Sequence, residues 1–199
     1  MKINYQRELD AVLNSLNGTK PRLLIHSCCA PCSSYVLEYL SEYFDITILY
    51  YNPNIYPEEE FNKRLLEQQR LVSEMGLSTK VIDVGYQSER FYDAVKGLEN
   101  LPEGDKRCEK CFTLRLEETA KMAKEAEFDY FTTTLSISPL KDEQLLNKIG
   151  KELSEKYGAN YLYSDFKKKN GYKRSIELSS QYNLYRQDYC GCAFSRKTK

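Results

Sequence analysis

Seven cysteines carry the chemistry of this sequence, and six of them fall into three close-spaced pairs. Cys28 and Cys29 stand in "RLLIHSCCAPCSSYVLEYL", where a short apolar run ends and a helical pattern begins. Pro31 marks the helix entry, and helix N-terminal amides lower a thiol's pKa, favouring the thiolate that attacks electrophiles or binds metals. Cys108 and Cys111 open a second helical pattern in "RCEKCFTLRL". CxxC spacing lets two thiolates face one metal centre, with Arg107 adding positive charge nearby. Cys190 and Cys192 flank Gly191 in "RQDYCGCAFS". A CxC pair closes only a small strained ring, and strained disulfides cycle readily.

One cysteine alone is more often a buried small hydrophobe than a ligand. Three close-spaced pairs in one chain reverse that preference and leave a choice of chemistry. Zinc would suit four thiolates from Cys28, Cys29, Cys108 and Cys111, although closed zinc sites mostly hold together domains that lack a core. An iron-sulfur cluster also takes four thiolates, adds redox capability and tolerates an adjacent pair plus a CxxC, so it is favoured. A thioredoxin-like dithiol reading rests on "CAPC" alone and leaves five thiols idle. Cys32 is left unassigned, its CxxC spacing from Cys29 being taken as a coincidence at a helix entry.

His26, the only histidine, ends an apolar run and suits a core imidazole as well as a catalytic one. Asp83 and Asp165 each end an apolar run; they are either strand-end caps or carboxylates facing the cysteines, as proton donor or extra metal ligand. From Phe166 to Lys199 there are nine basic residues (Lys167, Lys168, Lys169, Lys173, Arg174, Arg186, Arg196, Lys197, Lys199) against two acidic ones, Glu177 and Asp188. Interleaved with Phe166, Tyr172, Tyr182, Tyr185, Tyr189 and Phe194, they form either an RNA surface or an ordinary solvated face.

The elements that must position these groups follow from hydrophobic periodicity. The stretch "INYQRELDAVLNSL" is a helix stopped by Asn17-Gly18, after which apolar runs alternate with amphipathic stretches. "RLLIHS", "DITILYYN", "TKVIDV", "FDYFTTTL" and "NYLYSDF" read as five strands. The helices between them run from about Ser33, Glu58 to Met75, around Ser88 to Val95, Cys108 to Ala126, and Asp142 to Tyr157. This predicts an α/β fold with a doubly wound parallel sheet of about five strands, as one domain over 1–199 with 166–199 packed on it. In such sheets ligands bind beyond the carboxyl ends of the strands, where strand order reverses, which is where the thiols fall. Neither GxGxxG nor GxxxxGK[ST] is present, so a nucleotide-phosphate loop is not expected. No secretory leader or membrane span is evident in the 199 residues, so a reducing, cytoplasmic setting is expected, and a structural disulfide framework is not.

The combination "HSCCAPCSSYV", "YYNPNIYPEEEF", "RCEKCFTLRLEETA", "TTTLSISPLKD", "DFKKKNGYKRSIELS" and "YRQDYCGCAFS" closely resembles the epoxyqueuosine reductases of the QueH type, from about Leu24 to Ser195. The resemblance implies a fold like the adenine nucleotide alpha hydrolases, without their nucleotide loop. It implies a tRNA-modifying oxidoreductase that removes the epoxide oxygen of epoxyqueuosine at the anticodon wobble position, the last step of queuosine synthesis. A [4Fe-4S] cluster on Cys28, Cys29, Cys108 and Cys111 and a redox-active pair at Cys190 and Cys192 are implied too; cobalamin is not expected. Asp83, or second to it Asp165, is then the expected proton donor or ligand of an additional iron. The expected partners are tRNA, met by Lys167, Lys168, Lys169, Lys173 and Arg174, and an unidentified electron donor, with no membrane. The alternative of another class is a zinc-stabilised RNA-binding module without catalysis.

Overall fold

The structure, a computed structural model, describes residues 2–196; Lys197 and Lys199 of the basic segment lie outside the described residues. Four strands form one parallel sheet: β1 (Arg22–His26), β2 (Asp45–Tyr50), β3 (Lys80–Asp83) and β4 (Tyr130–Thr133), in the order β3-β2-β1-β4. The helices are α1 (Tyr5–Ser15), α2 (Ala30–Leu40), α3 (Glu58–Glu74), α4 (Ser88–Ala94), α5 (Lys106–Glu125), α6 (Glu143–Tyr157) and α7 (Gly171–Gln181). Among the described residues no helix is long and apolar enough to cross a membrane.

Alternation along β1 shows how the sheet is covered. Leu23 and Ile25 pack with α1 and α2 through Leu9, Leu13, Val36 and Leu37, whereas Leu24 faces α5 and α6 through Leu116, Leu146 and Ile149. Both faces are buried, as a parallel sheet with helical crossovers requires. Strand order reverses at β1, whose neighbours are β2 on one side and β4 on the other. A crevice therefore opens at the carboxyl ends of β1 and β4, between the loop carrying Cys28 and Cys29 and the 3-10 turn Thr134–Ile137.

The fifth predicted strand is corrected. "NYLYSDF" touches the sheet through a single parallel bridge, Phe131 to Tyr161. Side chains then take over its backbone groups: Thr132 Oγ1 donates to the Leu162 carbonyl at 2.8 Å, and Asn147 brackets Ser164 at 2.9 and 2.8 Å. With these bonds made to side chains, no continuous ladder extends beyond Tyr161.

Helix α6 matches its predicted ends: the Asp142 side chain accepts from the Gln144 and Leu145 amides, and Gly158 closes it in the left-handed conformation. Helix α7 was not anticipated within the basic segment. Its buried face is Gly171, Ser175, Leu178 and Ser179, packed on α2. A Cβ at Gly171 would lie 2.0 Å from the Phe166 carbonyl oxygen and 2.4 Å from the Tyr35 ring, so only glycine allows this approach.

Candidate active site

Cys28 and Cys29 follow β1 directly, and Cys29 is the extended N-cap of α2 with Pro31 in its first turn. Their sulfurs are 3.7 Å apart, and those of Cys28, Cys29 and Cys32 all lie within 4.8 Å of one another. Cys32, unassigned from spacing, thus belongs to the thiol group, one helical turn beyond Cys29. All seven cysteines are free thiols.

The triad stands at one side of a cavity of about 500 Å³, lined by Cys28 from the loop after β1 and by Pro31 and Cys32 from α2. The segment after β4 contributes Leu135, Ile137 and Ser138 to Lys141, and α7 with the chain beyond it contributes Tyr172, Ser175 and 186–190. An adjoining cleft is lined by Cys108, Cys111, Cys190 and Cys192, with Arg115 and Cys190 shared by both. The three cysteine pairs thus converge, although up to 164 residues of sequence separate them.

A strap over 182–195 brings the last pair in. Arg70 donates to the Tyr182 carbonyl at 3.0 Å, the Glu67 carboxylate accepts from the Tyr185 amide at 2.6 Å, and Gln187 Nε2 donates to Cys29 Sγ at 3.0 Å. The Tyr56 amide holds the Gly191 carbonyl at 2.9 Å, and Arg64 Nη1 holds that of Cys190 at 3.2 Å. Gly191, at φ +134°, makes the bend between the two cysteines.

The electrostatics are those of an anion site. Arg115 is 1% exposed and donates Nε–H to the Cys111 carbonyl, yet its Nη2 has no partner and no carboxylate pairs with it among the described residues. Arg64, also 1% exposed, pairs with Glu60 at 2.6 Å and likewise has an unpartnered Nη2. A buried guanidinium without a counter-charge is costly, and the charges that offset Arg115 are those of the neighbouring thiolates. Burial works against the charges of Arg115 and Lys141, but the neighbouring cysteines hold both pKa values above the ordinary range. Hydrogen bonding within the triad, from Cys29 and then Cys32, outweighs burial and brings the Cys28 thiol well down. The same sharing pushes Cys29 up to about 12 and Cys32 upward, and burial takes Cys111 to about 12. Within the triad the Cys28 thiolate therefore forms more readily than those of Cys29 and Cys32.

The other predicted residues are placed differently. His26 is fully buried, with Nδ1 3.0 Å from Thr133 Oγ1 and Nε2 3.2 Å from the Tyr51 carbonyl, and burial above all lowers its pKa to about 3. It is a neutral core imidazole tying β1 to β4. Asp83 is exposed and accepts from the Gly85 amide at 2.9 Å, and Asp165 is buried and paired with Lys167 at 3.3 Å. Neither is among the cavity-lining residues, whose carboxylates are Glu103 and Asp188. Lys167 and Lys169 are engaged by Glu143 and Asp10, and Arg174 by Glu38 and Glu177; Lys168 and Lys173 are exposed with no ion pair among the described residues. Sequence reasoning missed Arg64, Arg115, Lys141 and Gln187. Only Arg115 left a signal, seven and four residues beyond Cys108 and Cys111 on one helix face.

The profile of the epoxyqueuosine reductase QueH family matches residues 23–198. The chain belongs to that family. Its relatives include the epoxyqueuosine reductase QueH of Staphylococcus epidermidis, 44% identical over 98% of this chain and 85% of the relative. That of Streptococcus pyogenes is 43% identical over 98% and 79%, and that of Thermotoga maritima 37% over 87% and 89%. This family member is thus an oxidoreductase of the epoxyqueuosine reductase type. Among solved structures, the U34-tRNA thiolase NcsA from Methanococcus maripaludis with its [4Fe-4S] cluster superposes with a TM-score of 0.54 at 12% identity. The match covers 97% of this chain and 66% of that one; the likeness is one of fold.

Proposed function

We propose that this chain binds a [4Fe-4S] cluster on Cys28, Cys29, Cys108 and Cys111 and reduces epoxyqueuosine to queuosine at the wobble position of a tRNA anticodon, in the cytoplasm. The observation that carries this reading is the convergence of the Cys28, Cys29 and Cys32 triad and the other two cysteine pairs on two adjoining spaces that share Arg115, a buried cation with no carboxylate partner among the described residues. Four thiolates around a cluster carry net negative charge, which such a cation offsets. The fold neighbour's [4Fe-4S] cluster and tRNA substrate point the same way.

The reaction breaks two C–O bonds, forms a C=C bond and releases the oxygen as water, consuming two electrons and two protons. A cluster, when bound, supplies electrons at the cavity wall. The chain's own residues do the rest. Lys141 and Arg115 draw an electron-rich group towards Cys28, and the strap closes the cavity through Gln187 and Tyr189. Protons come from the lining, where Asp188 and Lys141 stand, with Asp83 and Asp165 kept as structural carboxylates. Cys190, which lines both spaces, and Cys192 serve as a redox pair towards an external electron donor, with Cys190 or Cys32 available to an additional iron.

Anaerobic purification with iron, sulfide and zinc analysis tests the cofactor, and single-turnover reduction of an epoxyqueuosine-containing anticodon stem-loop with dithionite tests the reaction. A brown protein with about four irons and product formation is expected. Colourless protein carrying zinc, with RNA binding but no product, would replace this reading with that of a zinc-stabilised RNA-binding module.

A further inference from the structure

Cys28 is 6% exposed and Cys29 1%, inside the crevice rather than at its rim. A base stacked between its neighbours in an RNA loop presents only its edge, and a nucleotide that leaves the stack carries its reacting group to this depth. Leaving is unfavourable, and proteins that unstack bases commonly set an apolar side chain into the gap.

The mouth of the cavity carries such a side chain. Leu140 is 85% exposed, more than any other large hydrophobic residue among those described. Of the exposed large hydrophobics, only Leu140 and Tyr172 line the cavity. Leu140 does not hang on a loose loop. Ser138 to Lys141 form a turn closed by the Lys141 amide on the Ser138 carbonyl at 3.2 Å, and the Leu140 amide donates to Ser138 Oγ at 3.3 Å. Pro139 before it fixes one further backbone angle. Such turn positions are ordinarily glycine or small polar residues, so a leucine held out to solvent there has no local conformational reason. The next residue, Lys141, lines the cavity and feels the charges of Cys190, Cys28 and Cys32. One turn thus presents an apolar side chain at the mouth and a cation towards the thiols. Lys168 and Lys173, free of ion pairs among the described residues, stand on either side of Tyr172 in sequence and provide the positive charge an RNA backbone needs.

We propose that Leu140 is a wedge that fills the gap in the RNA loop when the wobble nucleotide leaves its stack, with Tyr172 as a stacking platform at the same mouth. The inference rests on the reading that the substrate is epoxyqueuosine within an RNA loop. It makes Leu140 a positioning residue that never touches the reacting atoms. Its exposure means that Leu140→Ala leaves the fold intact.

The test compares two RNA substrates. One is an epoxyqueuosine-containing anticodon stem-loop; the other is the same stem-loop with abasic sites on both sides of the epoxyqueuosine, so that no stack has to be broken. On the intact loop, Leu140→Ala is expected to slow single-turnover reduction by about tenfold or more, the size of a lost stacking contact. On the abasic loop the variant and the parent should agree within about twofold, and Leu140→Phe should restore most of the rate on the intact loop. Equal rates of Leu140→Ala and parent on the intact loop, or equal slowing on both loops, would overturn the wedge and leave the enzymatic reading standing. No reduction of either RNA by the parent protein would instead bring down the reading on which the wedge rests.

Discussion

The side-chain amide of Gln187 donates to the sulfur of Cys29 at 3.0 Å, across 158 residues of sequence. The bond fastens the strap to the loop after β1 and places an N–H dipole on a sulfur that the proposed cluster would use. Hydrogen bonds to cluster sulfurs stabilise the reduced, more negative form. Gln187→Leu should therefore lower the cluster's midpoint potential by on the order of 50 mV, the value of about one hydrogen bond for a one-electron couple. A spectroscopically monitored redox titration reads this directly; an unchanged potential would reduce Gln187 to a fastener of the strap.

Arg115 gives a prediction with opposite signs in two states. In the metal-free protein its charge is buried without a carboxylate among the described residues, so Arg115→Met should be neutral or stabilising by up to about 3 kcal/mol. In metal-loaded protein the same change removes the counter-charge of the thiolates, so iron retained on gel filtration should fall well below that of the parent. Urea denaturation of the metal-free form, alongside iron analysis of the loaded form, checks both halves.

The lysines of the basic segment should separate by their pairing. Lys168→Ala and Lys173→Ala should each weaken tRNA binding and lower the slope of log K against log salt by about one. Lys169→Ala and Arg174→Ala should change the slope less, because Asp10 and Glu38 already neutralise those charges. Fluorescence anisotropy across a salt series distinguishes the two pairs; a uniform loss would show that the intramolecular ion pairs open on binding.

Glu143 predicts an acid limit. Burial opposes its charge, but hydrogen bonds from Lys2 and Lys167 outweigh that and hold its pKa at about 2, against an ordinary 4.5. A carboxyl lowered in the folded state contributes stability above its unfolded pKa, and the contribution is lost as pH falls through the folded value. Glu143 should therefore add a loss of up to about 1.4 kcal/mol per pH unit between about pH 4.5 and 2. Glu143→Gln should be less stable than the parent at pH 7 and show a shallower acid dependence in that window by denaturation.

Legibility in the sequence varied with how local the cause was. The boundaries of α6 follow from Asp142 and Gly158, and the thiol positions at strand ends follow from apolar runs meeting helix signals, all within a few residues. Helix α7 is hidden in the sequence because its buried face, apart from Leu178, consists of small residues whose periodicity is not hydrophobic. They suit α2 only because the two helices approach closely at Gly171. The fifth strand does not form because Asn147 and Thr132 take its hydrogen bonds, which an apolar run in the sequence cannot reveal.

By itself the sequence determined the α/β alternation, the three cysteine pairs, the family and the kind of reaction, because these depend on residue types at short spacing. Only the tertiary structure decided that Cys32 joins Cys28 and Cys29, that His26 is a core residue, and that Asp83 and Asp165 stand off the cavity lining. It also decided that Arg115 is buried beside the thiols with no carboxylate partner among the described residues, and that Leu140 stands at the cavity mouth. Those are facts about which distant segments share a dielectric and a void. They are settled by the packing of α7 on α2 and of the strap on α3 and the loop after β1, which no local spacing encodes.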